Sequence, residues 1–258
     1  MSGWRRLGGL GLTVLLLAVG SGRAADDLPT GWAQVPAEIA GLTDPGTRVV
    51  RISARFLDTP YRPHTLIGSA DRPEQLVAEF GGVDCFTLLD YVEALRRTAT
   101  PGEFRQKLIE VRYRDGNITW AGRRHFFTDW AAAPGRRIVD VTMEVGGSHT
   151  QQRRKVLNRK ADGTLFLPGV AVQERTIGFI PTAALDRTLL DRLRPGDYVG
   201  IYAPEPGLDV SHVGLLVRQG DRLLLRHASS RRPEQRVIDS DLPAYLAGKP
   251  GIVVLRPY

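Results

Sequence analysis

The 258-residue chain contains one cysteine, Cys85. No internal disulfide can form, so the fold rests on its packed core alone. The N-terminus makes the lone thiol more informative. Arg5 and Arg6 precede an apolar run from Leu10 to Val19, too short for a stable membrane anchor, and Gly22-Arg23-Ala24 offers small residues at a cleavage site. Residues 1–24 therefore read as a signal peptide and 25–258 as the mature unit, periplasmic or secreted. Thiols there are normally oxidised in pairs, so a single one is either buried or chemically employed.

Net charge is +7. The leader holds three of the 35 basic residues and none of the 28 acidic ones, leaving +4 for the mature chain. That balance suits an acidic partner such as a polyanionic wall or a carboxylate-rich peptide, does not argue for nucleic acid, and no nucleic-acid partner is expected. The densest basic run, Arg153-Arg154-Lys155 with Arg159-Lys160, has no interleaved aromatics and reads as a solvated loop. The mature chain has no second long apolar run, so no membrane anchor is expected once the leader is gone.

Helical periodicity is expected over 31–57, with Ile39, Val49, Val50, Ile52, Phe56 and Leu57 spaced for a buried stripe. Thr59-Pro60-Tyr61 then forces extended chain. Residues 85–98 give the clearest helix: Asp84 is an N-cap, and Cys85, Leu88, Leu89, Val92 and Leu95 form one apolar face. Asp115-Gly116-Asn117 between Val111-Arg112-Tyr113 and Ile118-Thr119-Trp120 predicts a hairpin, and Phe126, Phe127 and Trp130 a short helix after it. Strands follow at Tyr198–Tyr202, His212–Arg218, Arg222–Ala228 and Ile252–Leu255. One helix early and strands late is an α+β pattern.

A two-residue turn at Gln219-Gly220 sets His212 opposite His227, a four-residue turn sets them diagonally on the same face, and a three-residue turn breaks this parity. Cys85 at a helix N-terminus has free N–H groups and the helix dipole to favour a thiolate. His212 can exchange its proton, His227 can orient His212, and the Cys85 N–H can hold an oxyanion. A small core cysteine and structural histidines are the alternative. A zinc site built from His64, His125 or His149 lacks any HExxH spacing. No metal or cofactor is expected.

The blocks Thr59-Pro60-Tyr61, Val83-Asp84-Cys85-Phe86-Thr87, Arg124-His125-Phe126-Phe127-Thr128-Asp129-Trp130, Gly207-Leu208-Asp209-Val210-Ser211-His212-Val213-Gly214 and Gly251–Arg256 occur in that order. With His227-Ala228-Ser229, they resemble the NlpC/P60 cysteine peptidases. Over residues 48–258 they resemble, more specifically, the DUF1460 or N-acetylmuramoyl-L-alanine amidase-like branch. Phe86 departs from the threonine often found after the cysteine, and segment 150–160 is unusually basic. The resemblance implies a papain-like fold, its nucleophile helix packed on an antiparallel sheet. It implies Cys85 as nucleophile, His212 as base and acid, His227 as orienting member and Tyr61 as a second oxyanion donor. The reaction implied is cleavage of the amide between the lactyl group of N-acetylmuramic acid and L-Ala of the stem peptide, with peptidoglycan fragments as partners. Arg124, His125, Asp129 and Trp130 are the candidate substrate-binding wall, Arg124 as reader of stem carboxylates. An endopeptidase cutting after γ-D-Glu and a non-catalytic wall-binding protein are the rival readings.

Overall fold

The computed structural model describes residues 28–132 and 137–258. The predicted leader lies outside them. Helices α1 (Val35–Ile39) and α2 (Pro45–Ala54) fill the expected helical lead-in. Ile39, Val49, Ile52 and Phe56 are buried, whereas Val50 is half-buried and Leu57 exposed. A two-stranded ribbon, β1 (Ile67–Ser69) and β2 (Arg72–Gln75), precedes the central helix α3 (Cys85–Arg96).

Asp84 caps α3 by accepting from the N–H groups of Phe86 (3.0 Å) and Thr87 (2.7 Å), and Thr87 Oγ1 accepts from the Asp84 N–H at 2.9 Å. Such a cap contributes about 1 kcal/mol and sets where the helix begins, and with it the position of Cys85. The helix is buried on every side from Thr87 to Arg96, not along one stripe. Its charges are therefore neutralised inside the protein. Asp90 accepts from Arg112 Nε at 2.7 Å. Glu93 is clasped by Arg96 and accepts from the Tyr198 hydroxyl at 2.9 Å.

The hairpin expected around Asp115 is absent. Instead α4 (Phe104–Arg112) is helical, with Phe104, Leu108 and Val111 buried at helical spacing. The chain then turns tightly through Arg114–Gly116, leaving only an isolated bridge between Tyr113 and Arg123. Packing of that apolar face against α3 overrides the local turn signal. Short α5 (Asp129–Ala132) follows where a helix was expected.

The main sheet runs in the order β4 (Gln151–Leu157), β5 (Gln173–Pro181), β10 (Gly251–Pro257), β6 (Tyr198–Tyr202), β7 (Val210–Gln219), β8 (Arg222–Ala228), β9 (Val237–Asp241), with β3 (Ile138–Asp140) also pairing β10. Its pairings are antiparallel. The architecture is thus α+β, as expected. The Arg153-Arg154-Lys155 run is an edge strand, not a loop. The two-residue period sorts the side chains: Val213, Leu215, Val253 and Leu255 join α3 in one core. Val199, Ile201, Leu216, Leu225, Ile252 and Val254 form the second, under α6 (Thr142–Gly146), α7 (Arg187–Leu190) and α8 (Leu242–Leu246).

Candidate active site

The β7–β8 turn sits one residue later than expected. Gln219 pairs with Arg222 and Leu215 with Arg226. Extended along the ladder, this register carries His212 toward Ser229, so the two histidines are diagonal and not opposed. A shift of two in the register sum preserves parity, and both rings stay on one face. There Nε2 of His212 lies 2.9 Å from Nδ1 of His227. The rings are perpendicular, with centroids 4.9 Å apart.

The chain of contacts continues beyond the residues read from sequence. His227 Nε2 lies 3.1 Å from Ser240 Oγ on β9. The Tyr245 ring of α8 closes over both imidazoles, 4.9 Å from His227 and 6.1 Å from His212. Neither Ser240 nor Tyr245 carries a sequence signal, because each arrives from an element that pairs only in the folded sheet.

Cys85 and His212 line one cavity of about 310 Å³. Ser211, His212 and Val213 all line it, so it lies at the N-terminal end of β7. Its other walls are largely apolar, with Phe86, Phe126, Phe127 and Phe166 among them. Among the described residues no hydrogen bond joins the thiol to either imidazole. Tyr61 is tied to the helix start through a bridge to Val83 and hydrogen bonds between their flanking backbones. The thiol contributes to raising the Tyr61 phenol pKa, after burial, as it does, after burial and against Arg231, for Tyr245.

Protonation differs from the sequence expectation. Burial, reinforced by the Asp84 carboxylate, pushes the Cys85 thiol up to about 12, against the opposing backbone N–H groups of Val213, Cys85 and Phe86. Burial, then the charge of His227, Lys249 and Arg231, pushes His212 down to about 3. Burial and then Arg231 push His227 down to about 4, with Asp239 and Glu234 acting the other way. Desolvation outweighs the backbone N–H groups that face the sulfur, so the resting pair is neutral thiol and neutral imidazole.

Of the four expected wall residues only His125 lines the cavity. Its Nε2 lies 2.8 Å from the Trp120 carbonyl oxygen, and burial pushes its pKa down to about 4. Arg124 Nη1 donates to the carbonyls of Glu110 (2.8 Å), Val111 (3.0 Å) and Tyr113 (2.5 Å), capping the C-terminus of α4. Asp129 is buried and accepts from Arg175 Nη2 at 2.8 Å. Trp130 is buried edge-on between Phe86 and Tyr198. These three hold the fold around the cavity. Asp209, which does line it, accepts from Thr128 N–H (2.8 Å), Thr128 Oγ1 (2.9 Å) and Val210 N–H (2.8 Å), pinning the approach to His212.

The profile of the AmiA-like, N-acetylmuramoyl-L-alanine amidase-like family matches residues 51–252. The chain belongs to this family. The AmiA-like chain is similar to an N-acetylmuramoyl-L-alanine amidase from Bacteroides uniformis, with 30% identity over 83% of this chain and 99% of that one and a TM-score of 0.68. A DUF1460 protein from Legionella pneumophila shares the fold, with 22% identity, a TM-score of 0.75, and coverage of 88% and 93%. No curated protein sequence matches. Family and relatives together make this AmiA-like chain an amidase-like enzyme.

Proposed function

We propose that this protein is an exported cysteine amidase of peptidoglycan, cleaving the bond between the lactyl carbonyl of N-acetylmuramic acid and L-Ala of the stem peptide. The observation that carries the reading is the relay from His212 Nε2 to His227 Nδ1 and from His227 Nε2 to Ser240 Oγ, beside the only cysteine in the chain. Similarity to the Bacteroides uniformis amidase supports the bond chosen. Export rests on the leader-like residues 1–24, with 25–258 as one catalytic unit of papain-like, NlpC/P60 type.

The mechanism follows from the ring nitrogens. His212 Nε2 is engaged by His227, so Nδ1 is the atom left to take the thiol proton. Nε2–H then donates to His227 Nδ1, and His227 Nε2–H donates to Ser240 Oγ. As substrate closes the cavity, the thiol gives its proton to His212 Nδ1 and sulfur attacks the lactyl carbonyl. The Cys85 N–H and the Tyr61 hydroxyl receive the developing oxyanion. Collapse transfers the proton from His212 to the departing L-Ala amine and leaves a thioester. Water, deprotonated by His212, releases the muramyl carboxylate and restores the thiol.

Mass spectrometry of muropeptides incubated with the mature protein and its Cys85→Ala variant tests this. Free stem peptide plus peptide-free sugar, formed only with the cysteine present, is expected. A sugar still bearing a dipeptide would make the enzyme an endopeptidase, and no product from any muropeptide would leave the wall-binding reading.

A further inference from the structure

A second concavity, a groove of about 710 Å³, lies along the edge strand β4, outside the cysteine cavity. Its cationic side chains are Arg153, Arg154, Lys155, Arg159 and Lys160. Arg154 is neutralised by Glu174. Lys155 is buried, its Nζ donating to the carbonyls of Ala203 (2.6 Å), Pro204 (3.0 Å) and Glu205 (2.7 Å), and no carboxylate pairs with it directly. Arg153 and Arg159 form no salt bridge with a carboxylate among the described residues, and Lys160 acts on the nearby Asp162 carboxylate only through its charge. The aromatics missing from the sequence run come from neighbouring strands. Phe179 and Tyr202 stack at 3.8 Å and 2° on the groove floor, with Lys155 Nζ 5.0 Å from the Tyr202 ring centroid.

The groove abuts the site. Lys160 lines the groove, and its ammonium lies 5.2 Å over the ring of Phe166, which lines the Cys85 cavity. Buried Asn158 is the seam. Its N–H donates to the Gly207 carbonyl at 2.8 Å, its carbonyl accepts from Phe166 N–H at 3.0 Å, and its Oδ1 accepts from Leu167 N–H at 2.7 Å. Gly207 has φ +85, and a Cβ there would lie 2.6 Å from the Arg159 carbonyl oxygen and 2.8 Å from the Phe166 ring. Only glycine lets this wall close so tightly. On the reading of the cavity as the scissile-amide site, what extends from it is either sugar or peptide. An apolar floor with a rim in which cations outnumber the carboxylates facing them favours the part carrying negative charge.

We propose that the β4 groove binds the distal, carboxylate-bearing end of an acidic stem peptide, with Arg153, Arg159 and Lys160 as its readers. This rests on the amidase reading for its substrate, and assigns to β4 the role that sequence analysis gave to Arg124. The test uses the mature protein, muramyl-tetrapeptide, and the same substrate with its carboxylates amidated. Arg159→Glu with Lys160→Glu is expected to raise KM about tenfold for the free acid and less than twofold for the amide. The exposed Arg153→Glu, made separately, shifts the same ratio in the same direction should the double variant fold poorly.

A parallel arm titrates free tetrapeptide into Cys85→Ala protein by calorimetry. Binding weakened at least about tenfold by the charge reversals, and by amidation of the peptide, is expected. Selective binding without hydrolysis would sink the amidase reading and keep the groove. Hydrolysis with equal treatment of acid and amide, or charge reversals that change both alike or neither, would overturn the groove and keep the amidase.

Discussion

His212 Nε2 and His227 Nδ1 are 2.9 Å apart, and the proposed mechanism turns on this one contact. It leaves only Nδ1 of His212 free to meet the thiol. Replacing His227 with Asn keeps an acceptor for His212 Nε2–H, and replacing it with Ala does not. The Asn variant is expected to retain about tenfold or more of the kcat of the Ala variant. Steady-state kinetics on a muropeptide checks this, and equal losses would mean that His227 does more than orient.

Ser240 stands one step further out, 3.1 Å from His227 Nε2. Ser240→Ala removes one neutral hydrogen bond, typically about 0.5–1.5 kcal/mol, so kcat is expected to fall roughly two- to tenfold with little change in KM. Ser240→Thr, which retains the oxygen, should recover most of the loss. An unchanged kcat in the Ala variant would end the relay at His227.

The resting thiol is neutral, because burial and Asp84 hold Cys85 at about 12 while His212 is held at about 3. Alkylation of the free enzyme by iodoacetamide should therefore keep accelerating past about pH 9, with no plateau in the acid range. A plateau extending down through neutral pH would reveal a preformed thiolate–imidazolium pair and contradict this account.

Three histidines carry depressed values in the folded chain: His125 at about 4, His212 at about 3 and His227 at about 4. The ordinary imidazole value is 6.5. Between these limits the unfolded chain binds more protons, so stability falls as pH falls. The contribution is complete above 6.5 and is lost progressively toward about 3. Urea midpoints should decline from neutral pH to pH of about 4, and the decline should be shallower in His125→Gln. A flat profile would show that these rings are not desolvated.

Arg124 separates a structural role from a substrate role. Its Nη1 serves three carbonyls at the end of α4. Arg124→Ala should cost about 1–3 kcal/mol of stability and leave the KM for muropeptides unaltered. A raised KM at unchanged stability would return Arg124 to substrate binding.

How much was legible in the sequence depends on the range over which each feature is decided. The helix that begins at Cys85 could be read because its determinants are local: an N-cap at Asp84, a partner at Thr87 and apolar residues at helical steps. The histidine pair could be read because strand alternation keeps parity for any turn with an even number of residues, and the turn between Gln219 and Arg222 has two. The turn slid by one residue, the register sum moved by two, and both rings kept their face. Around Asp115 the reading failed, because a turn signal of three residues lost to the packing of Phe104, Leu108 and Val111 on the central helix.

The chain by itself determined the helix that begins at Cys85, the two histidines that share a face and the α+β order of elements, all of which follow from spacing along the backbone. Tertiary structure alone decided the protonation of the pair, since burial is a property of neighbours distant in sequence. It alone brought Ser240 and Tyr245 to the relay, turned Arg124 into a cap, and set the basic strand β4 over aromatics from β5 and β6. Those outcomes depend on which strands pair, and pairing balances burial over the whole sheet against chain entropy, a sum that no short stretch of residues contains.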